Sequence, residues 1–227
     1  MKPKSLKIPF PWSERHPHIE DRVFYVPNYF FQHEKFTFPS WEAEELFGNS
    51  HPVHVEYCSG NGDWIVAKAL ENPECNWVAV EKRFDRVRKI WAKLKNNQVK
   101  NLIIVSGEGL TFTENYLPSQ TLEAVYVNFP DPWPKDRHAK HRIIQAPFVK
   151  EVARILKDDG KMVLVTDDAD YSLQMIDEME KSLFFEATHP KPYYLSNVDS
   201  YGTSWFEKLW KEKGREIRHI KYRRLSS

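Results

Sequence analysis

Val53-His54-Val55-Glu56-Tyr57-Cys58-Ser59-Gly60-Asn61-Gly62-Asp63 is a short apolar run that stops on two glycines, and Asn76-Trp77-Val78-Ala79-Val80-Glu81 is a second such run that stops on a carboxylate. An amphipathic stretch, Asp63 to Leu70, lies between them, which is the pattern of a βα unit on a parallel sheet. Working outward, the alternation continues. Strands are predicted over Val53 to Cys58, Asn76 to Glu81, Asn101 to Ser106, Leu122 to Asn128 and Lys161 to Thr166. Helical spacing marks Asp63 to Leu70, Arg83 to Asn96, Ile143 to Leu156 and Asp168 to Phe184, as in Val87, Ile90, Trp91 and Leu94. Phe185 to Thr188 and Ile217 to Arg223 are predicted to pair as a terminal antiparallel hairpin, with Pro190 to Gly214 inserted between them. The expected fold is α/β: an open, doubly wound, mostly parallel sheet with a C-terminal antiparallel edge hairpin, binding its ligand beyond the carboxyl ends of the strands.

The prolines and aromatics of the first fifty residues predict an irregular arm (1–50) ahead of the main domain (51–227). Charged residues at 29% and hydrophobic ones at 41% describe a folded, water-soluble chain. With no apolar run near the ~18 residues of a bilayer span and no signal-peptide core, a cytoplasmic protein without a membrane partner is expected. Cys58 and Cys75 form no Cys-x-x-Cys pair, so neither a disulfide framework nor a zinc site is expected. The net charge of +1 hides basic runs from Lys82 to Lys100 and from Lys208 to Arg224, which serve either as solvated helix faces or as surfaces for an acidic partner.

The glycine pair alone says little, because tight βα turns need glycine anyway. Glu81, 19 positions after Gly62, adds to it, since a carboxylate at the second strand end accepts both hydroxyls of a ribose. A dinucleotide's pyrophosphate needs an anion-friendly helix N-terminus. Here Ile65 stands where a third glycine would be, and Asp63 would repel phosphate. S-adenosylmethionine carries a sulfonium cation and no phosphate, so acidic residues around Gly60 and Gly62 favour it, with Glu56 the stronger candidate contact. Asp63 reads equally as a plain helix N-cap. Glu108, after the third strand, reads as an adenine contact or as an exposed turn residue.

After the fourth strand comes Asn128-Phe129-Pro130-Asp131-Pro132-Trp133-Pro134-Lys135. Three prolines in five positions stiffen the backbone where a polar side chain must be held still. A planar base can stack on Phe129 or Trp133 for ~1–3 kcal/mol, and Asp131 matches the ring and amino N–H donors of guanine. The competing reading is core packing for the aromatics and a loop-backbone hydrogen bond for Asp131. Lys135, Arg137, His138, Lys140 and Arg142 flank the segment where phosphates beside a flipped nucleotide would lie. His138 and His141 lack the further ligands a metal site requires.

Taken together, these residues resemble the bacterial tRNA (guanine-N7-)-methyltransferase family from about Val53 onward, with a Rossmann-like sheet of class I methyltransferase type. Asn128 to Lys135 reproduces the family's Asn-Phe-Pro-Asp-Pro-Trp-Pro-Lys run. Arg137, His138, Lys140, Arg142, Thr166-Asp167, Tyr171, Ser204 and Glu207 extend the likeness. The resemblance implies Glu56, Glu81, Glu108 and Asn128 as contacts of S-adenosylmethionine and Asp131 as the catalytic-site carboxylate. It implies Lys135, Asp167, Ser204 and Glu207 as substrate contacts and tRNA, at a variable-loop guanosine, as the substrate. Cys58 stands at the first glycine of the family's loop, Ser204 at its threonine, and Glu108-Gly109 at its Asp-Ala.

Guanine N7 offers a bare lone pair, so in-line attack on a sulfonium methyl needs no base. Positioning can then supply up to ~7–11 kcal/mol, with Asp131 orienting the ring and favouring its developing positive charge. Amino-group methylation of a base, a catalytically silent RNA-binding protein and a nicotinamide oxidoreductase are the alternative readings. A monomer and a homodimer are equally compatible with the sequence.

Overall fold

Two short strands, β1 (His18–Glu20) and β2 (Val23–Tyr25), come from the proline-rich segment where an irregular arm is predicted. β1 pairs antiparallel with β2, and β2 runs parallel to a strand some eighty residues later, matching Val23 to Ile104. The computed structural model describes residues 1–202 and 205–226, in two units, Met1–Leu117 and Pro118–Ser227.

The first unit continues with β3 (Val53–Tyr57), α1 (Asp63–Glu71), β4 (Asn76–Glu81), α2 (Phe84–Asn96), β5 (Leu102–Ser106) and α3 (Gly109–Tyr116). Its strands lie in the order β1-β2-β5-β4-β3, and β3, β4 and β5 are mutually parallel. Every residue of β4 is buried, as in a parallel strand covered on both faces. On α2 the buried residues Val87, Ile90, Trp91 and Leu94 make one stripe, with arginines and lysines between them. Phe24 of β2 packs its ring against Phe36, Phe38, Phe112 and Tyr116, with centroids 5.0 to 6.1 Å away. The aromatics before Val53 thus share a core with α3, a helix the sequence reading missed.

The second unit contains β6 (Leu122–Asn128), α4 (Ala146–Ile155), β7 (Leu156–Thr166), α5 (Ala169–Glu180), β8 (Phe185–Ala187), β9 (Tyr194–Ser196), α6 (Trp205–Glu212) and β10 (Arg218–Arg224). β6 and β7 are parallel with a register irregularity between Leu122 and Ala124. β10 is antiparallel to β7 and pairs with both β8 and β9, which is the expected C-terminal antiparallel edge. α4 starts at Ala146 rather than Ile143, because Pro147 occupies its first turn, where a missing N–H costs nothing. The mixed, mostly parallel α/β architecture matches the expectation, and no helix among the described residues is long and apolar enough to cross a membrane.

Candidate active site

In the first unit, the carboxyl ends of β3, β4 and β5 bring together the glycine loop, Glu56, Glu81 and the start of α3. Strand register sets this arrangement, since Glu56 lies opposite Ala79 and Glu81 opposite Ser106. Gly60 and Gly62 both adopt positive φ, 57° and 76°. At Gly62 a Cβ would stand 2.8 Å from Ile90 Cγ1, so the loop passes α2 too closely for any other residue.

Glu81 is buried. Its Oε2 accepts the Gly60 N–H at 3.0 Å and its Oε1 accepts the Arg83 N–H at 2.8 Å, with Arg86 Nη1 3.7 Å from Oε2. The carboxylate therefore shapes the loop, and each oxygen keeps a second lone pair for a hydroxyl. Glu56 is also buried, and the Ser59 hydroxyl donates to its carbonyl. Asp63 is not the helix cap. Gly62 holds that position, and Asp63 in the first turn pairs with Lys93 at 2.5 Å. Glu108 caps α3 by accepting the Thr111 N–H at 2.7 Å, and it is exposed.

Cys58, at φ 61°, takes a left-handed conformation that favours glycine. Burial, reinforced by the negative charge of Glu81, pushes its thiol up to about 12. The group is a protonated thiol at neutral pH and a poor nucleophile. Iodoacetamide at pH 8 is expected to leave Cys58 in the native chain intact and to modify it rapidly in urea. Mass spectrometry of the labelled peptides reads the difference, and fast native labelling of this partly buried residue would contradict the raised thiol pKa.

In the second unit, β6 delivers Asn128, whose Oδ1 accepts the Tyr201 hydroxyl at 2.6 Å. The backbone then turns sharply. Phe129 has φ 48° and donates its N–H to Val165 O at 2.8 Å. Its ring packs on Val163, Val165 and Ile217 together with Tyr201 and Trp210, so the core-packing reading holds for Phe129. Asp131 is exposed, and its Oδ1 accepts the Trp133 N–H at 3.1 Å. Trp133, at φ 43°, faces His138 and His141 with centroids 5.8 and 5.2 Å away. Arg142 fastens the segment from behind: Nε donates to Pro132 O at 2.8 Å, and the guanidinium lies over Tyr171, 4.9 Å from its centroid.

Lys135, Arg137 and Lys140 are exposed around the short 3-10 turn Asp136–His141, with no ion pair to any described side chain. No group of acidic, histidine and cysteine residues fit to hold a metal occurs among the described residues. After β7, Asp167 pairs with Arg215 Nη1 at 2.5 Å, and Arg215 stacks over Trp210 at 4.1 Å. Glu207 on α6 is buried, and Ser204 lies outside the described residues. Tyr201, Trp210 and Arg215 escaped the sequence reading. Arg215 lies within the basic run from Lys208 to Arg224, whereas nothing local singles out Tyr201 within the insertion.

The family model described as "Putative methyltransferase" matches residues 50–220. A tRNA (guanine-N(7)-)-methyltransferase of Chlamydia caviae is 52% identical over 98% of this chain and 97% of its own. One from Rubrobacter xylanophilus is 33% identical over 82% of each. Among solved structures, an antibiotic-related methyltransferase superposes with a TM-score of 0.55 at 17% identity, over 77% of this chain and 89% of that one. The antibiotic-resistance methyltransferase Kmr gives 0.51 at 17%, over 78% and 89%. These two likenesses speak for the fold; the near full-length relatives speak for the family, and the chain belongs to the tRNA (guanine-N(7)-)-methyltransferases.

Proposed function

We propose that this enzyme methylates N7 of a guanosine in the variable loop of tRNA, using S-adenosylmethionine. The observation that carries the reading is the exposed Asp131 carboxylate, fixed by the Trp133 N–H within the Asn128 to Lys135 segment and flanked by exposed Lys135, Arg137 and Lys140. A carboxylate accepts the adjacent ring and amino donors of guanine, and the cations suit the neighbouring phosphates.

The donor chemistry of the first unit fits the cofactor. Glu81 would take the ribose hydroxyls, and Glu56 the positively charged end. Gly60 and Gly62 give the close backbone approach, and Glu108 and Asn128 would complete the contacts. When bound, S-adenosylmethionine supplies an electrophilic methyl for in-line displacement. What the chain's residues do is orient and stabilise. Asp131 holds the guanine edge and favours the positive charge the purine acquires. Arg142 and the three prolines keep that carboxylate in place. Lys135, Asp167, Ser204 and Glu207 would contact the substrate nucleotide, and His138 would support Trp133 beside the RNA.

The direct test is methylation of an unmodified tRNA transcript followed by strand cleavage specific for 7-methylguanosine. Cleavage in the variable loop is expected, and methyl incorporation without cleavage would redirect the reading to amino-group methylation. The triple substitution Lys135→Ala, Arg137→Ala and Lys140→Ala is expected to weaken tRNA binding at every sequence alike. It should flatten the slope of log affinity against log salt by about 0.7–0.9 per lost phosphate contact. An unchanged slope in filter binding would remove these residues from the RNA surface.

A further inference from the structure

Within the first unit, an apolar pocket of about 220 Å³ is lined by residues from two sources. Lys82, Ser106 and Gly107 lie at the ends of β4 and β5 and Phe84 opens α2, whereas Ile8, Phe10, Arg15, Val26, Pro27 and Asn28 come from the segment before Val53. We propose that this pocket holds the adenine ring of the cofactor, and that the N-terminal arm, through Ile8, Phe10 and Asn28, is its outer wall. The inference rests on the proposed use of S-adenosylmethionine and assigns the arm to cofactor binding rather than to RNA.

Three observations converge on it. Placement is the first: Lys82 directly follows Glu81, the ribose candidate, and Gly107 directly precedes Glu108, so the pocket begins where a ribose held by Glu81 would end. The second is size and chemistry. The volume falls below the roughly 300–1,000 Å³ of drug-sized ligand sites and suits one ring system. Phe10, Tyr25 and Phe84 give it aromatic walls, and Phe10 and Phe84 lie 6.2 and 6.3 Å from Tyr25 by ring centroid. Asn28 adds an amide with both a donor and an acceptor, the pair that an adenine edge requires.

The third is that the arm is tied in place rather than draped. Tyr25 donates its hydroxyl to Lys7 O at 3.1 Å, and Arg88 Nε donates to Leu6 O at 3.0 Å. These two bonds fix the backbone directly before Ile8 and Phe10. On the other side, the Val26 N–H bonds Ser106 O at 2.9 Å. Gly107 has no Cβ, and one built there would lie 2.6 Å from Val26 Cβ. That close approach brings Val26 and the following Pro27 and Asn28 against the end of β5.

The test compares two ligands on the full chain. Calorimetry with S-adenosylhomocysteine on Ile8→Ala, Phe10→Ala and Asn28→Ala should show affinity reduced about tenfold or more, with tRNA binding by filter assay unchanged. Unchanged S-adenosylhomocysteine affinity with weakened tRNA binding would overturn the inference and hand the arm to RNA. Glu81→Ala separates the underlying reading: if it weakens S-adenosylhomocysteine binding while the arm variants do not, only the arm's role fails. If the unaltered chain binds no S-adenosylhomocysteine, the cofactor reading fails with it. Photocrosslinking of radiolabelled S-adenosylmethionine to the unaltered chain needs no variant to fold. Label in the peptides spanning residues 8–28 supports the inference, and label wholly outside them contradicts it.

Discussion

Asp131→Ala is expected to lower kcat for tRNA methylation by at least about a hundredfold, the scale of losing one preorganised electrostatic contact in a reaction site, while tRNA affinity changes little. Affinity is expected to persist because the proposed phosphate contacts, at Lys135, Arg137 and Lys140, are left intact. Asp131 is exposed, and its one described bond is to the Trp133 N–H two residues on, so the fold loses little with it. Asp131→Asn divides the two jobs of the side chain. The amide oxygen can still accept the Trp133 N–H and keep the turn, but the negative charge is gone, and the NH2 opposes the donors of guanine. A fall in kcat for the asparagine variant assigns the effect to charge and hydrogen-bond polarity. Full methylation with unchanged affinity would remove Asp131 from the reaction.

Glu81→Ala acts on both folding and ligand binding. Two backbone donors lose their acceptor, the buried Gly60 N–H and the more accessible Arg83 N–H; the buried one costs about 1–3 kcal/mol when left unsatisfied, whereas water can replace the acceptor at Arg83. At about 2–4 °C per kcal/mol for a chain of this size, thermal denaturation should show a clear drop in Tm. S-adenosylhomocysteine binding should weaken by at least about tenfold at a temperature where the variant stays folded. Glu81→Gln keeps one acceptor oxygen and should fall between. A variant with unaltered Tm and unaltered binding would contradict both roles of this carboxylate.

The long elements were legible because burial is written in composition. Asn76–Glu81 and Leu122–Asn128 have the predicted bounds, since wholly or mostly buried parallel strands are continuous apolar runs. What escaped is short or depends on distant partners. β1, β2 and β9 have three residues each, too few for an alternation to register. α3 is an eight-residue helix with two threonines and a Glu cap, and its local preference is weak; the aromatic packing that supports it comes from before Val53. α6 is hidden in an insertion that reads as loop.

The same division applies to the site. Glu81 was found from its spacing, but its grip on Gly60 depends on the turn that brings the loop back over β4. Asn128 was named through the family run, yet the Tyr201 hydroxyl that holds it is 73 residues away in sequence. Asp167 likewise reaches Arg215 across 48 residues. Such pairs leave no local trace, because a hydrogen bond needs only proximity in the folded chain.

The outer side of β10 is shared by β8 and β9, which take Tyr222 to Arg224 and Arg218 to Ile220 respectively. Its seven residues therefore never present one long ladder of unpaired amides. The border consists instead of two three-residue pieces, too short to template another chain. The insertion that separates the hairpin partners thus works as protection against aggregation, because it supplies β9 to cover the half of β10 that β8 leaves open.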